Sequence, residues 1–286
     1  MTEKATDRIE LGETHANIIF GNRCIRIAKE HAIYTNLVVG SFDFLFSLVR
    51  PVEYNGWQFV DYSTPRYHDV VGYEPYPIMF PALAEAAKFT RGFEKFAQIG
   101  NESVVLDLGA YSGLSSILFD RQIKGGGRVI AVEPDTITLP CLKINIDNYE
   151  RITGRKIDVL HAAVWQKDGY VLLSPEGNLG STVFRNQTEG VAVRACTLNT
   201  VAGLFNLSRV DFIKCDIEGA EIVIFNDDKF FSRFKPRILI ELHELSVDGV
   251  NRLTKQECVD TLSKYDYRFK DIGKRDIQLP LLECYP

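Results

Sequence analysis

The residues with the clearest chemical potential lie in one short stretch, Asp107-Leu-Gly-Ala-Tyr-Ser-Gly113. Apolar residues precede it, and the largely apolar segment Leu114 to Phe119 follows it, so the pattern predicts a strand, a glycine turn and a helix. Such a turn presents free backbone N–H groups beside the short acidic side chain of Asp107. That side chain would repel a pyrophosphate and attract an ammonium or sulfonium group. The turn therefore favours S-adenosylmethionine over a dinucleotide as the ligand.

A second acidic residue, Glu133, ends the next predicted strand, one strand–helix unit after the glycine turn. A carboxylate at this position can accept hydrogen bonds from both hydroxyls of a ribose. The alternative is a strand-end acid that only precedes the following helix, which Asp135 and Thr136 begin. We favour the ribose interpretation, because the glycine turn precedes Glu133 at the expected interval.

Further polar residues follow two later strands, at the edge where ligands bind to an open parallel sheet. Asp216 ends the strand that begins at Val210, and Glu241 and His243 end the strand that begins at Arg237. We predict these three as the catalytic residues. His243 is the best base because its unperturbed pKa lies near neutrality, and Asp216 is the alternative base or its partner. The other interpretation of His243 is a buried histidine that is hydrogen-bonded to a neighbouring glutamate.

Residues at the same edge of the sheet could bind a divalent metal ion. Two carboxylates and an imidazole, from Asp216, Glu241 and His243, suit Mg²⁺ or Mn²⁺, but the spacing does not require either ion and we assign no metal ligand. Glu218 and Glu221 read as first-turn acids that complement a helix N-terminus, and this is the interpretation we favour for Glu221. Lys214, inside an apolar strand, is predicted either to extend its ammonium group toward solvent or to pair with a neighbouring acid.

The elements that position these residues alternate between strand and helix. This alternation predicts an α/β fold with a parallel sheet covered on both faces by helices. The region from 166 to 196 interrupts it with scattered glycines, and we predict a β-hairpin insertion there. The predicted elements are strands at 104–107, 128–133, 157–164, 237–244, 267–272 and 277–284 and helices at 114–123, 136–149, 197–205 and 254–265. Residues 210–225 are predicted to form a second strand–turn–helix unit with an acidic turn. The last helix begins with a capping box, and the last two strands should form an antiparallel pair.

The first part of the chain is less regular. We predict an N-terminal extension, residues 1–72, and a main domain, residues 73–286. The extension should contain a hairpin about Gly21-Asn22, a strand at 57–62 and a further strand formed by the alternating residues 42–48. Glu74 lies on a stiff segment, Tyr73 to Pro77, and a helix is predicted from 78 to 96.

Bulk properties exclude some classes of function. The 286-residue chain carries a net charge of −5, which argues against a nucleic-acid binder with a broad basic surface. The polar N-terminus and the lack of a long apolar run favour a cytoplasmic protein without a membrane partner. Six scattered cysteines with no CxxC pair are predicted to be reduced core residues.

Four blocks together resemble the FkbM family of class I S-adenosylmethionine-dependent methyltransferases. They are Asp107 to Gly113, Val129 to Pro134, Ile213 to Glu221 and Ile240 to His243, and the resemblance covers roughly residues 73 to 245. It implies a Rossmann-like seven-stranded sheet of strand order 3-2-1-4-5-7-6. It also implies transfer of a methyl group, usually to a hydroxyl oxygen of a sugar, polyketide or other small metabolite.

The resemblance also implies roles for single residues around S-adenosyl-L-methionine. Glu133 would hold the ribose, and Glu74 could reach the methionine amino group. The other implied cofactor-binding residues line its methionine part or pass near its adenine, and they are Asp107, Gly109, Ala110, Gly113, Ala162 and Ala163.

The leading hypothesis is thus an O-methyltransferase that acts on a small molecule with a free hydroxyl. One alternative is the same fold acting on nitrogen, or on a glycan or protein. A non-enzymatic alternative is a catalytically silent subunit that binds S-adenosylmethionine. In either case the N-terminal region is the expected interface of a homodimer.

Overall fold

The computed structural model describes residues 7–84, 96–174, 190–247, 250–272 and 280–286, and its contacts divide the chain into Met1–Lys88 and Phe89–Pro286. The division lies later in the chain than the predicted boundary after residue 72. The reason is that strand Ile78–Phe80 pairs antiparallel with Arg66–His68, so the segment after residue 72 belongs to the first unit.

The N-terminal unit is built on a five-stranded sheet of order β1-β2-β3-β5-β4, with β6 and β7 as a separate antiparallel pair. A 3₁₀ helix, Lys29–Tyr34, precedes its two short α-helices. The strands are β1 (Arg8–Leu11), β2 (His15–Phe20), β3 (Arg23–Ala28), β4 (Val52–Tyr54), β5 (Trp57–Tyr62), β6 (Arg66–His68) and β7 (Ile78–Phe80), and the helices are α1 (Thr35–Gly40) and α2 (Phe42–Ser47). The predicted hairpin about Gly21 and the predicted strand at 57–62 are confirmed.

Two predictions for this unit are wrong. Residues 42–47 form helix α2 and not a strand, because the buried side chains Phe42, Leu45 and Phe46 follow helical spacing and pack on the sheet. Residues 78–80 form strand β7 and not the start of a helix, because Ile78 and Phe80 are buried on alternate positions. The rest of that predicted helix lies largely outside the described residues.

The larger unit contains the seven-stranded sheet, in the order β10-β9-β8-β14-β15-β19-β18. The first five strands are parallel, and β19 pairs antiparallel with both β15 and β18. This order confirms the predicted strand order 3-2-1-4-5-7-6. The sheet strands are β8 (Val104–Leu108), β9 (Arg128–Val132), β10 (Asp158–Leu160), β14 (Phe212–Cys215), β15 (Arg237–Glu241), β18 (Arg268–Ile272) and β19 (Leu281–Tyr285).

Smaller strands lie outside this sheet. The predicted hairpin insertion is confirmed, since β12 (Gly169–Leu173) pairs antiparallel with β13 (Val191–Cys196), and their connection lies largely outside the described residues. The predicted strand 157–164 is divided, because β11 (Ala163–Val164) leaves the main sheet and pairs with β13. An additional hairpin, β16 (Glu244–Val247) with β17 (Val250–Leu253), follows the fifth parallel strand.

Helices cover both faces of the main sheet. Leu106, Ile130 and Ile213 point to one face, where residues of α5 to α8 complete the core. On the other face, Phe119 of α3 contacts Phe212 edge to face, with ring centroids 5.6 Å apart. The helices are α3 (Leu114–Gln122), α4 (Leu139–Thr153), α5 (Leu198–Leu204), α6 (Glu221–Ile224), α7 (Asp228–Phe231) and α8 (Lys255–Ser263).

All six cysteines are free and buried, as predicted. Within the described part of the chain, no helix combines the length and the apolar character that crossing a membrane would need.

Candidate active site

The glycine turn between β8 and α3 packs directly on the neighbouring strand end. Gly109 has φ of +75°, and a Cβ atom there would lie 1.8 Å from the backbone oxygen of Asp216. Gly113 has φ of +83°, and its Cβ would lie 2.6 Å from Leu142. Both positions therefore require glycine, for the left-handed conformation and for the close approach of a neighbouring element.

The backbone N–H groups of this turn have partners within the protein. Gly109 and Ala110 both donate to the Val132 carbonyl, and Gly113 donates to Ala110. The Tyr111 N–H donates to a carboxylate on the neighbouring strand end. The expectation of free N–H groups is thus wrong for these four residues, because the turn is bonded to the end of β9.

Asp107 lies on β8 and is fully buried. Its Oδ2 accepts hydrogen bonds from the hydroxyls of Ser115 (2.6 Å) and Ser116 (2.5 Å) in the first turn of α3. Its Oδ1 has no hydrogen-bond partner within the described residues, although the Lys214 ammonium is 3.5 Å away. A fully buried carboxylate oxygen with no donor is a place where a ligand donor would be accommodated.

Lys214 connects this turn to the acidic edge. The register of β8 and β14 sets Lys214 beside Asp107 on the same face of the sheet. The Lys214 ammonium donates to the Gly109 carbonyl at 2.8 Å and lies 3.3 Å from Asp216 Oδ2. The predicted pairing of Lys214 with neighbouring acids is confirmed.

Glu133, which follows β9, holds the glycine turn through a hydrogen bond. Its Oε2 accepts the Tyr111 N–H and its Oε1 accepts the Asp135 N–H, each at 2.8 Å. Burial raises the pKa of this carboxyl to about 7, although the two backbone hydrogen bonds act in the opposite direction. Glu133 thus lies at the strand end where the ribose was predicted, and it also supports the shape of the turn.

His243 is held on one side by a buried carboxylate. Glu221 Oε1 accepts a hydrogen bond from the Thr254 hydroxyl at 2.8 Å and lies 3.1 Å from His243 Nδ1. Oε2 of Glu221 accepts the Gly219 N–H at 2.9 Å. Glu221 is fully buried, so it fixes the orientation of the imidazole and is not a simple first-turn acid.

The other nitrogen of His243 faces three further carboxylates. Nε2 lies 3.6 Å from Asp216, 3.5 Å from Glu218 and 3.9 Å from Glu241. It is buried and makes no hydrogen bond with any described residue. The structure therefore brings the three predicted catalytic residues together, with one ligand atom from each lying within 4.8 Å of the others.

Residues 107–269 match the family model of the methyltransferase FkbM domain, which is more than half of the chain. The chain belongs to the FkbM methyltransferase family. It is accordingly an S-adenosylmethionine-dependent methyltransferase with the class I fold. A comparison with curated proteins found no match.

Three solved structures illustrate the range of similarity. Methyltransferase FkbM from Methylobacillus flagellatus KT has 17% identity and a TM-score of 0.48, with 70% of this chain and 48% of that chain covered. A precorrin-6y C5,15-methyltransferase from Geobacter metallireducens GS-15 has 16% identity and a TM-score of 0.40, with 69% and 86% covered. P. horikoshii TYW2 in complex with MeSAdo has 12% identity and a TM-score of 0.45, with 94% and 88% covered.

The other predicted cofactor-binding residues of this FkbM methyltransferase lie in both units of the chain. Ala110 is buried in the turn, and Ala162 and Ala163 are buried after β10. Glu74 belongs to the N-terminal unit, where its carboxylate accepts hydrogen bonds from Arg50 at 3.0 Å and from the Gly72 N–H at 2.9 Å. Its role toward the methionine amino group stays a prediction.

Sequence reasoning missed Thr254. We expected it to cap a helix through a capping box, but its side chain makes no capping hydrogen bond and instead donates to Glu221. No local signal in the sequence pairs Thr254 with Glu221, which is 33 positions away. The helix itself is confirmed as α8.

The carboxylates raise the pKa of the imidazole. Burial alone would lower the pKa of His243, but the close contacts with the carboxylates of Glu218 and Glu221 raise it well above its usual value. Burial, with Asp216 nearby, raises the pKa of Glu241 well above its usual value. A raised pKa means that the imidazole holds its proton more tightly, so this arrangement does not favour His243 as the base.

We predict that Glu133→Gln changes how stability depends on pH. Because the folded-state pKa of Glu133 is raised to about 7 from 4.5, the folded protein binds this proton more tightly than the unfolded chain does. Wild type thus loses stability as pH rises from 4.5 through 7, by up to about 3 kcal/mol from this residue. Glu133→Gln lacks this loss, so its unfolding free energy relative to wild type should rise between about pH 5 and pH 8 in urea titrations. A constant difference across that range would contradict the interpretation.

We also predict that Glu221→Gln brings the pKa of His243 down toward its usual value. The variant replaces a buried carboxylate that is 3.1 Å from Nδ1 with a neutral amide. Histidine NMR titration in the presence of a chelator measures the change. Glu244→Gln is the matched control, since Glu244 is next to His243 in sequence but exposed. Equal titration curves for the two variants would refute the role of Glu221.

Proposed function

We propose that this FkbM methyltransferase transfers a methyl group to a hydroxyl oxygen of a small metabolite, sugar or natural product. The observation that carries the proposal is the position of Asp216 between the glycine turn and the acidic cluster. Its N–H donates to the Leu108 carbonyl at 3.1 Å, and its Oδ2 lies 3.3 Å from Lys214. Its side chain is 26% exposed, so a bound acceptor can reach it.

The chemistry requires a proton acceptor at this place. S-adenosylmethionine supplies an electrophilic methyl group on sulfur, which an oxygen nucleophile takes up as S-adenosylhomocysteine is released. A hydroxyl is a weak nucleophile until its proton leaves, and in our proposal Asp216 accepts that proton. Alignment of the acceptor supplies much of the remaining rate enhancement. The residues proposed to hold the methyl donor are Asp107, Gly109, Ala110, Gly113, Glu133 and Ala163.

Glu241 and His243 support Asp216 in this proposal. The buried Nε2 of His243 faces the carboxylates, so the imidazole balances their charge and orients them. We therefore regard Glu241 and His243 as positioning residues, with the acceptor itself next to Asp216.

The test is a screen of hydroxylated and aminated small molecules with S-adenosylmethionine labelled in its methyl group. We expect label on oxygen, and we expect Asp216→Asn to lower kcat by a factor of about 100 or more. Binding of S-adenosylmethionine to the variant, measured by calorimetry, should change little. The matched control is Asp260→Asn, an exposed aspartate on α8 that should leave kcat unchanged.

Three outcomes would overturn parts of this proposal. Label on nitrogen would replace O-methylation with N-methylation. An unchanged kcat in Asp216→Asn would remove Asp216 as the proton acceptor. Binding of S-adenosylmethionine without transfer to any acceptor would favour a catalytically silent subunit.

A second candidate is a metal-assisted version of the same reaction. The buried Nε2 of His243 has no hydrogen bond within the described residues, and Glu221 holds the opposite nitrogen, as carboxylates do for many metal-binding histidines. Asp216, Glu241 and His243 would hold Mg²⁺ or Mn²⁺, and such an ion would make an acceptor hydroxyl more acidic.

Exhaustive chelation separates the two candidates. For the metal-free mechanism we expect full transfer activity in the presence of a chelator that has removed all divalent ions. Loss of activity that Mg²⁺ or Mn²⁺ restores would support the metal-assisted mechanism instead. Isothermal titration with Mg²⁺ alone, on wild type and His243→Ala, gives an independent measure of whether an ion binds there.

A further inference from the structure

The N-terminal unit contains a cavity of about 570 Å³. Every residue that lines it belongs to β3, β4, β5, β6 or the segments next to them. Its volume falls within the range of small-molecule binding sites, which is about 300 to 1,000 Å³. We call it the N-terminal cleft.

Strand alternation explains why polar groups line the cleft. Ile25, Ile27 and Tyr62 point to the buried side of the five-stranded sheet. Arg26 and Asp61 lie on the opposite side and are neighbours across β3 and β5. The sheet therefore has one apolar face for its core, and on the opposite face Arg26 and Asp61 form part of the cleft wall.

The lining of the cleft contains three arginines and two aspartates. The charge of Arg66 is balanced by Asp61 at 2.9 Å, and Arg50 is balanced by Glu74 at 3.0 Å. Arg26 donates through Nε to the neutral amide of Asn17 at 2.8 Å, and it has no carboxylate partner in the part of the chain that the structure describes. One guanidinium is thus available to an anion from a ligand.

His68 lies between the cleft lining and the core. Its ring packs against the buried rings of Tyr62 and Phe80, with centroids 5.0 Å and 5.7 Å away. Burial, with Arg66 nearby, lowers the pKa of His68 to about 4. Its Nε2 is buried, so we assign it no contact with a ligand.

Aromatic rings complete the cleft. Tyr54 is 68% exposed and Tyr67 is 48% exposed, and both line the cavity. Phe59 lies on the same face of the sheet as Arg26 and Asp61. Exposed rings beside polar side chains provide flat apolar surfaces together with hydrogen-bonding groups.

We propose that the N-terminal cleft binds a sugar ring that carries one anionic group, a carboxylate or a phosphate. Arg26 would pair with the anion, Asp61 would contact hydroxyls, and Tyr54 and Tyr67 would pack on the ring. Donors and acceptors are both present, as a polyhydroxylated ligand requires. The proposal does not depend on the proposed methyl transfer, because it concerns binding to residues of the N-terminal unit.

Calorimetry on the full chain tests this proposal with four probes: D-glucuronate, D-glucose 1-phosphate, D-glucose and inorganic phosphate. We expect saturable binding of at least one anionic sugar, with a Kd at or below about 1 mM, and weaker binding of glucose and of phosphate. The glucuronate and sugar-phosphate arms distinguish the two sources of the anion. Arg26→Gln should weaken the anionic sugar about tenfold or more, and Tyr54→Ala should weaken it as well.

Control variants distinguish the loss of the binding site from the loss of folded protein. Arg8→Gln removes an exposed arginine of the same sheet outside the cleft and should leave binding unchanged. Tyr54 is exposed, so Tyr54→Ala should unfold at the wild-type temperature, and every variant should still bind S-adenosylmethionine. The proposal is overturned if no anionic sugar binds saturably, if glucose or phosphate binds as tightly, or if Arg26→Gln and Tyr54→Ala bind like wild type.

Discussion

The active site depends on the contacts of one buried ammonium group, that of Lys214. Lys214 is 1% exposed, and its charge is balanced by Asp107 and Asp216 while it also bonds the Gly109 carbonyl. Removal of one partner from such a group leaves an uncompensated buried charge, which costs about 3 to 5 kcal/mol. The interaction forms only because β8 and β14 are adjacent and parallel in one register. It links the methyl-donor turn physically to the edge where the acceptor is proposed to bind.

The carboxylates around His243 form a second group of buried charges that must be balanced. Asp216, Glu218, Glu221 and Glu241 surround His243, and burial raises the pKa of Glu218 and of Glu241. Two cations could balance the remaining negative charge: the imidazole when it carries a proton, and a divalent ion. In both cases Glu221 does not face the acceptor, since its oxygens are used by His243, Thr254 and the Gly219 N–H.

The N-terminal unit uses its sheet differently. One face is closed by the rings and aliphatic side chains of α2 and the sheet itself, as the stacking of Phe20 on Phe42 at 4.5 Å illustrates. The other face carries Arg26 and Asp61 next to exposed tyrosines. A concave surface with polar groups and aromatic rings has the composition of a binding surface.

The sequence by itself determined the strand–turn–helix units, their order and the family. These follow from local signals: the apolar runs, the glycines at 109 and 113, and the acids that end strands. The strand order came from the family resemblance and is confirmed by the structure. Where the local signal was ambiguous the prediction was wrong, as in the alternating residues 42–47, whose buried positions follow a helix.

The tertiary structure alone decided which charges meet. Lys214 bonds a carbonyl 105 positions away, and Thr254 bonds a carboxylate 33 positions away. Such partners depend on strand register and on the burial that surrounds them, and neither is encoded in any short stretch of sequence. The same holds for the N-terminal cleft, whose residues come from four strands. Pairing across the sheet, and the desolvation that accompanies it, converted a set of strand-end acids into an oriented and charge-balanced site.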